Sequence, residues 1–493
     1  MPEKPPILFI TNSELGQAAV HLAVAFEFLI RVSYKVHIAS FAPIDDALED
    51  LHRRLNQMPW NTGRPYFHRI NGPSMVEFVR KKTGVRGSFD AHPTGLCGAM
   101  KTYKSLLHTT VMPWDGIQYM EIYRDCEQII QQVQPVVAVV DPLLLPAVDV
   151  CRTMGQRIVK LGPSTVLTHV RQPYLANLWK YPSLCSGYSY PLPWYLLLPN
   201  TILSICIRRT LSSCKQCDEV EDYRNRCGIP GPIPSVLVAD TDKTPFILSS
   251  MSYTDFPCHV PEQFTLCGPI LRASAPVTQE MPELARWLSR RPTVLVTMGS
   301  HLRYNSDNRR QFAEGLRMLL DQMPRAQILW KMVREPEPGV DDDDKTDPAL
   351  ACLHSAIITD RVRIEPWLYA DPIVILESGH VPLMVHHGGA NSYQEAVKAG
   401  IPQVVVPVWF DTHECAARVK HLDIGVWVRW NHSSKTNGKA LGNAMLQVVQ
   451  STSMQINAMT LAVRLGPVEG RVLAWEKIQD ILAEERARTP FCG

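Results

Sequence analysis

Short apolar runs alternate with amphipathic stretches along nearly the whole chain, and the series occurs twice. Continuous apolar runs of four to six residues are typical of strands buried on both faces, and the stretches between them have helical length and spacing. Such alternation predicts α/β domains in which parallel strands are joined by helical crossovers. The predicted strands are Ile7–Thr11, Lys35–Ser40, Tyr66–Ile70, Val136–Val140, Arg157–Leu161, Pro245–Ser250 and Thr265–Ile270, then Thr293–Thr297, Ile328–Met332, Val362–Glu365, Leu383–His386, Gln403–Val406 and Gly425–Val428.

The proline-containing stretch 273–282 separates the two series and is predicted to be a linker. We therefore expect one domain over 1–272 and a second over 283–460, with helices over 461–493 that pack back on the first domain. Two doubly wound parallel-sheet domains of this kind would face each other across a cleft. Ligands of open α/β sheets bind beyond the carboxyl ends of the strands, so the functional residues are expected to follow strands.

Composition narrows the class of protein. The 493 residues are 45% hydrophobic and 20% charged, which is a globular balance. The 50 Lys and Arg against 48 Asp and Glu give a net charge of +2, so no nucleic-acid partner is indicated. Thirteen cysteines without a regular framework, and a start without a cleavable signal, favour free thiols and a cytoplasmic protein. Neither Cys214–Cys217 nor the acidic run 340–345 is predicted to bind a metal.

The segment Tyr190–Ile207 is strongly apolar, but three prolines and Asn200 interrupt it. Its uninterrupted parts are shorter than the ~20 residues of a membrane-spanning helix. It is predicted to be a buried helix or a hydrophobic substrate wall, and contact with a membrane surface is the alternative. The aromatic residues Trp179, Trp194 and Tyr195 are expected to line a pocket for a lipophilic molecule, or else to belong to an ordinary core.

The most informative turn follows the strand Leu383–His386. It reads His387-Gly388-Gly389-Ala390 and leads into a helix that opens with Asn391 and Ser392. Two successive glycines let a phosphate approach the backbone, and the helix N-terminus presents unpaired N–H groups to an anion. The segment therefore predicts a diphosphate cradle, with an ordinary capped turn as the alternative.

The stretch Trp367–Thr412 resembles the nucleotide-sugar signature of family 1 glycosyltransferases, the UDP-glycosyltransferase superfamily, in its fungal secondary-metabolite form. The strand Thr293–Thr297 with Gly299-Ser300 after it is similar to the first donor loop of that family. The resemblance implies the GT-B fold, an acceptor-binding N-terminal domain and a donor-binding C-terminal domain. It implies that Trp367 stacks on the base, that Glu395 binds the ribose, that Asp411 binds the sugar, and that the diphosphate lies against Ser300, His387, Gly388, Gly389, Asn391 and Ser392.

Departures from the family pattern leave the identity of the transferred sugar undetermined. Thr412 stands where the family usually has Gln, His or Asn beside the sugar-binding residue, and it is expected to bind the sugar together with Asp411. Ala390 replaces a Trp of plant members. UDP-glucose is the expected co-substrate, while xylose, glucuronate or deoxysugar donors remain alternatives. No metal and no other cofactor is expected, because helix N-terminal amides and His387 would supply the positive field.

The histidine that usually serves as the general base in this family is missing from its position in this chain. The family usually places a Gly-His pair after the first strand, and here Gly16 is followed by Gln17, whose amide cannot act as a base. His21 lies one helical turn on and is predicted to replace it, oriented by Asp141. Glu14 and Asp115 rank behind His21 and would need burial to raise the pKa of their carboxyls. An acceptor acidic enough to need no base, or a weakened enzyme, are the other interpretations.

The expected activity is thus inverting transfer of a sugar to a hydroxyl of a small lipophilic molecule, such as a terpenoid or polyketide. Two rivals stay open: a non-catalytic nucleotide-sugar carrier, for which Gln17 is the best argument, and an enzyme that hydrolyses or epimerises the donor.

Overall fold

The computed structural model describes residues 4–60, 62–77, 94–107, 111–170, 177–235, 242–336, 344–409, 411–428 and 437–488. Its strands form two sheets in which every pairing is parallel. The first sheet has the order β3-β2-β1-β4-β5-β6-β7 and the second β10-β9-β8-β11-β12-β13. In both sheets the order of the strands reverses beside the strand that comes first in the chain, as in doubly wound sheets. The predicted α/β fold of two Rossmann-like domains is confirmed. The acidic positions 340–343 lie outside the described residues.

The strand bounds agree with the sequence pattern to within a few residues. The strands are β1 Pro6–Ile10, β2 Lys35–Ser40, β3 Tyr66–Arg69, β4 Val137–Val140, β5 Ile158–Gly162, β6 Phe246–Leu248, β7 Phe264–Leu266, β8 Thr293–Thr297, β9 Gln327–Lys331, β10 Val362–Glu365, β11 Leu383–His386, β12 Gln403–Val405 and β13 Gly425–Trp427. The central strands are buried on both faces, so their residues read as continuous apolar runs rather than as alternating ones.

Helices cover both faces of the two sheets. They are α1 Leu15–Arg31, α2 Asp45–Asn56, α3 Gly95–Thr102, α4 Gly116–Val133, α5 Leu145–Thr153, α6 Val166–His169, α7 Asn177–Lys180, α8 Leu197–Ser212, α9 Lys215–Arg226, α10 Val277–Glu280, α11 Pro282–Leu288, α12 Ser306–Gln322, α13 His354–Ile358, α14 Pro372–Leu376, α15 Ala390–Ala399, α16 Thr412–His421, α17 Gly438–Gln450, α18 Thr452–Leu465 and α19 Gly470–Arg488. The predicted linker 273–282 contains the short α10, because its prolines lie at positions where a helix can begin. No described helix combines the length and the apolar character that crossing a bilayer demands.

The last helix, α19, lies on the N-terminal domain. Arg471 forms an ion pair with Glu27 of α1 at 2.8 Å, and Gln479 accepts a hydrogen bond from the Tyr34 hydroxyl at 3.2 Å. Ala474 and Ile478 belong to the same buried cluster as β1 and α1. Since α18 still packs on α15 of the second domain, the chain crosses between Leu465 and Gly470.

The two domains are joined by polar contacts between their helices and loops. Arg54 pairs with Asp371 at 2.9 Å, and Arg272 also pairs with Asp371. Gln394 donates to the carbonyl of Ser249 at 2.6 Å. Between the carboxyl ends of the two sheets lies a cleft of about 1350 Å³, lined by residues of both domains.

Candidate active site in the interdomain cleft

The turn after β11 is fixed by a histidine that does not reach the cleft. His386 is fully buried, and its Nε2 is 2.8 Å from Oε1 of Gln403 on β12. Its Nδ1 accepts a hydrogen bond from the Gly388 N–H at 3.0 Å, so this nitrogen carries no proton. The ring therefore holds the turn in a single shape, and burial lowers the pKa of His386 to about 4.

Glycine is required in this turn for steric reasons. Gly388 has φ +89°, and a Cβ there would lie 2.6 Å from the carbonyl oxygen of Thr412. A Cβ on Gly389 would lie 2.5 Å from Nε2 of His387. Gly389 and His387 line the cleft, whereas Gly388 supports the turn from behind. Contact of Gly388 with a diphosphate stays a prediction, because the structure shows only that the side of this residue where a Cβ would stand faces Thr412.

His387 is a neutral donor in this site rather than a cation. Burial, followed by the charges of His386, His301 and Lys331, lowers the pKa of its imidazole to about 3, and its Nδ1 has no hydrogen-bond partner among the described residues. The part of His387 in the positive field at a diphosphate stays a prediction, and it would rest on the N–H of the neutral ring. The positive potential comes from the N-terminus of α15, where Asn391 and Ser392 occupy the first turn and line the cleft, and from Lys331.

Lys331 was missed by the sequence reasoning, because a lysine at the end of a buried strand carries no motif. It ends β9, and its ammonium lies 3.6 Å from the ring centroid of Trp367. Burial lowers the pKa of Lys331 to about 8, against the opposing charge of Glu395. Burial, and next the charge of Asp371, raises the pKa of Glu395 to about 8. Trp367, Lys331 and Glu395 thus form one end of the cleft.

Asp411 and Thr412 have different surroundings. Asp411 lines the cleft, and burial raises the pKa of its carboxyl. Thr412 is fully buried, and its hydroxyl accepts hydrogen bonds from the backbone N–H groups of Val408 and Trp409, both at 3.0 Å. The prediction that Thr412 contacts a sugar is corrected: its side chain closes the loop that presents Asp411. Glu414, one helical turn further on, also lines the cleft.

Comparison with known proteins decides the family. A model of UDP-glucoronosyl and UDP-glucosyl transferases matches residues 235–466. A glycosyltransferase of Sordaria araneosa, sdnJ, is 34% identical over 434 residues, which cover 86% of this chain and 84% of that protein. The chain belongs to the UDP-glycosyltransferase family. It is a glycosyltransferase enzyme.

Further matches agree with this assignment. The UDP-glycosyltransferase stmC of Aspergillus ustus is 25% identical over 201 residues, 38% of this chain and 36% of that protein. The solved glycotransferase of kitacinnamycin superposes with a TM-score of 0.62 at 15% identity, covering 98% of this chain and 100% of that one. The expected GT-B arrangement of this glycosyltransferase is thereby confirmed at the level of the fold.

The N-terminal side of the cleft does not contain the predicted base of the glycosyltransferase. His21 is 1% exposed, its Nε2 lies 3.0 Å from the carbonyl oxygen of Leu161 on β5, and burial lowers its pKa to about 3. The prediction that His21 reaches the cleft is wrong. One turn along α1 carries its side chain against the interior strand β5, while Gln17 stays in the cleft lining.

Of the other predicted carboxylates, Asp141 and Asp115 do not line the cleft. Asp141 is fully buried and accepts hydrogen bonds from the Asn12 side chain at 2.8 Å and the Leu143 N–H at 2.9 Å. Burial raises its pKa to about 6, but it lies behind the cleft lining and has no contact with His21 among the described hydrogen bonds. Asp115 caps α4 by accepting from the Gln118 N–H at 2.9 Å, which makes it a structural residue. Glu14, by contrast, lines the cleft.

The predicted aromatic wall is replaced by other residues. Trp179, Trp194 and Tyr195 are 57%, 83% and 63% exposed and do not line the cleft. The apolar lining of the N-terminal side comes instead from residues of several helices and turns: Met75, Leu107, Val111, Leu143, Leu167, Leu178, Leu184, Ile207 and Leu211. Among the described residues, no three His, Cys, Asp or Glu side chains form a group able to hold a metal ion.

Proposed function

We propose that the enzyme transfers a sugar from a nucleotide diphosphate donor, UDP-glucose before others, to a hydroxyl of a small lipophilic molecule. Fungal secondary metabolites such as terpenoids and polyketides have this chemistry. One observation carries the proposal: the His387–Ser392 turn and helix N-terminus face an apolar wall of the other domain across a single cleft. Polar anion-binding groups on one side and hydrocarbon on the other suit a charged donor and a lipophilic acceptor.

The donor side supports departure of a diphosphate. Negative charge that develops on the leaving group would be stabilised by the amides that open α15 and by Asn391, with the neutral ring of His387 as a further donor. Lys331 adds a positive charge beside Trp367, where the base and ribose are proposed to bind. Attack of the acceptor oxygen from the N-terminal side, opposite the diphosphate, would invert the anomeric centre.

The experiment is direct. Purified protein is incubated with UDP-glucose and a panel of phenolic, terpenoid and sterol-like alcohols, and glycosides are sought by mass spectrometry while released UDP is measured. Stoichiometric glycoside and UDP are expected. UDP without glycoside would instead indicate hydrolysis of the donor. Donor binding without UDP release would favour a non-catalytic carrier, which Gln17 in the cleft lining would suit.

We also propose that α8 contacts a membrane surface. Leu198, Ile202 and Ile205 follow one another at helical spacing and are 70%, 37% and 44% exposed, and Arg209 continues the same stripe. The exposed Trp194 precedes this stripe by one turn. Apolar, aromatic and basic side chains on one face are typical of helices that lie in an anionic lipid interface. Since the opposite face of α8 lines the cleft, this contact would bring a lipophilic acceptor close to its site.

A further inference from the structure

The first turn of α1 places a carboxylate in the cleft of the N-terminal domain. Glu14 is the N-cap residue of α1, four residues after Ile10 at the carboxyl end of β1, and it is 8% exposed. It lines the cleft together with Gln17, the residue that stands where the family usually has its base. A carboxyl end of a central strand is the position from which α/β enzymes present reacting groups.

The two oxygens of this carboxylate differ. Oε1 accepts a hydrogen bond from the Val76 N–H at 2.9 Å, and the Ser74 side chain also interacts with the carboxylate. Oε2 is buried and has no hydrogen-bond partner among the residues that the structure describes. A buried carboxylate oxygen without a partner is costly unless another molecule supplies a donor. An acceptor hydroxyl in the cleft is such a donor.

The surroundings of Glu14 hold its carboxyl in a state that can take up a proton. Burial raises its pKa, and the nearby charge of Glu77 acts in the same direction. Asp141 is the other acidic neighbour, and its pKa is also raised, partly by Glu14. Two carboxyls close together in a buried site resist ionising at the same time, so a proton arriving on either is stabilised.

We propose that Glu14 is the general base that accepts the proton of the acceptor hydroxyl. In this step the O–H bond breaks and its proton goes to Oε2, while the acceptor oxygen forms the new bond to the anomeric carbon. The bond from that carbon to the diphosphate oxygen breaks, and the nucleoside diphosphate leaves with the electron pair. This inference rests on the proposed transfer reaction. It names the group that accepts the hydroxyl proton, which the amide of Gln17 cannot do.

The decisive variant is Glu14→Gln, with Glu121→Gln as the matched control. Glu121 is an exposed carboxyl on α4 that is not part of the cleft lining. Loss of a general base slows the reaction by about 10²–10⁴-fold, so kcat should fall by that much in Glu14→Gln and stay unchanged in Glu121→Gln. Binding of UDP-glucose, measured by calorimetry, should be equal in both variants and the parent, because Glu14 acts on the acceptor.

Rates measured with a series of acceptors add a test whose outcome a merely structural role of Glu14 would not change. An aliphatic alcohol needs a base, whereas an acidic phenol is largely ionised and needs none, so the loss in Glu14→Gln should be large for the alcohol and small for the phenol. In the parent, kcat/KM for the alcohol should fall as pH drops through the pKa of Glu14, and this limb should vanish in Glu14→Gln. Equal losses for both acceptors, or an unchanged kcat, would overturn the proposal.

Two controls separate this inference from other failures. If Glu14→Gln does not fold, the parent's pH limb and acceptor series decide alone: a rate independent of both overturns the assignment. A parent that binds no nucleotide sugar contradicts the proposed function itself. A parent that binds donor and transfers sugar, with a fully active Glu14→Gln, contradicts only the role of Glu14.

Discussion

Asn391 of the C-terminal domain donates a hydrogen bond from Nδ2 to the carbonyl oxygen of Leu15 in the N-terminal domain, at 3.1 Å. Asn391 lies in the first turn of α15, at the turn proposed to bind the diphosphate, and Leu15 opens α1 beside Glu14. An amide nitrogen carries two N–H groups, so one can remain on Leu15 while the other binds a phosphate oxygen. The proposed binding of a nucleotide sugar would thereby be linked to the position of the first turn of α1 through one side chain.

Replacement of Asn391 tests this link. Asn391→Ala should weaken binding of UDP-glucose by about tenfold or more, since hydrogen bonds to charged groups contribute about 1.5–3 kcal/mol. Asn391→Asp should weaken it further, because a carboxylate would repel the diphosphate. Calorimetry gives both values, and Asn457→Ala is the control because that amide binds Asp423 outside the cleft. Equal affinity in the parent and in Asn391→Asp would contradict the proposed diphosphate site.

The turn at Gly388 offers a steric test. Gly388→Ala places a Cβ 2.6 Å from the Thr412 carbonyl oxygen and also forces a positive φ on alanine. Gly379→Ala is the matched control: Gly379 has φ +79° but nothing within 4 Å of a Cβ. The control should lose about 1–2 kcal/mol of unfolding free energy from backbone strain alone. Gly388→Ala should lose more in urea titrations and should lose donor binding, and equal behaviour of the two variants would contradict this account.

Donor affinity should depend on pH through Glu395. Its pKa of about 8 means that the carboxyl is mostly protonated at neutral pH and becomes ionised as pH rises. If two ribose hydroxyls donate to it, UDP-glucose binds more tightly above pH 8 than below. Glu395→Gln should bind more weakly above that pH and show no such rise. Lys331 titrates in the same range with the opposite effect, because its positive charge is lost as pH rises, so the rise in affinity should persist in Lys331→Met. A fall in affinity above pH 8 that is seen in the parent and disappears in Lys331→Met would assign the pH dependence to the lysine.

The stability of the protein at acid pH should depend on His21. Its pKa is lowered from 6.5 to about 3, so between these values the unfolded chain binds a proton that the folded protein does not. The free energy of unfolding therefore falls as pH decreases through this window. His21→Gln should reduce that slope by up to about 1.4 kcal/mol per pH unit, measured by urea unfolding at several pH values. Sugar transfer should survive the change, and its abolition with unaltered stability would restore His21 as the base.

The exposed stripe of α8 should govern binding to vesicles. Leu198→Ser/Ile202→Ser should reduce flotation with phosphatidylcholine vesicles that contain phosphatidylserine by about tenfold, since two apolar side chains lose their lipid contact. Ile456→Ser/Val463→Ser is the control, because these residues form an exposed apolar stripe on α18. Equal losses in the two variants would contradict the proposed contact of α8 with a lipid surface. The same holds if the parent forms concentration-dependent dimers and does not bind vesicles.

The sequence alone determined the two parallel sheets, because strands buried on both faces must be apolar throughout and their crossovers must be helical. It also located the turn proposed to bind the donor, where consecutive residues from His387 to Ser392 form one turn and the local geometry follows from two glycines. The bounds of β8, β10 and β11 agree with the predicted bounds residue for residue.

Tertiary structure alone decided which residues face the cleft from the N-terminal domain, where the acceptor is proposed to bind, and how burial shifts their pKa values. Whether His21 or Glu14 faces the cleft depends on how α1 is rotated against β5 and on the backbone of Val76, a segment 62 residues away from Glu14. Likewise Lys331 meets Trp367 only because the ends of two neighbouring strands converge. Burial and charge proximity are properties of packed surfaces, and no local spacing in the chain encodes which surfaces meet.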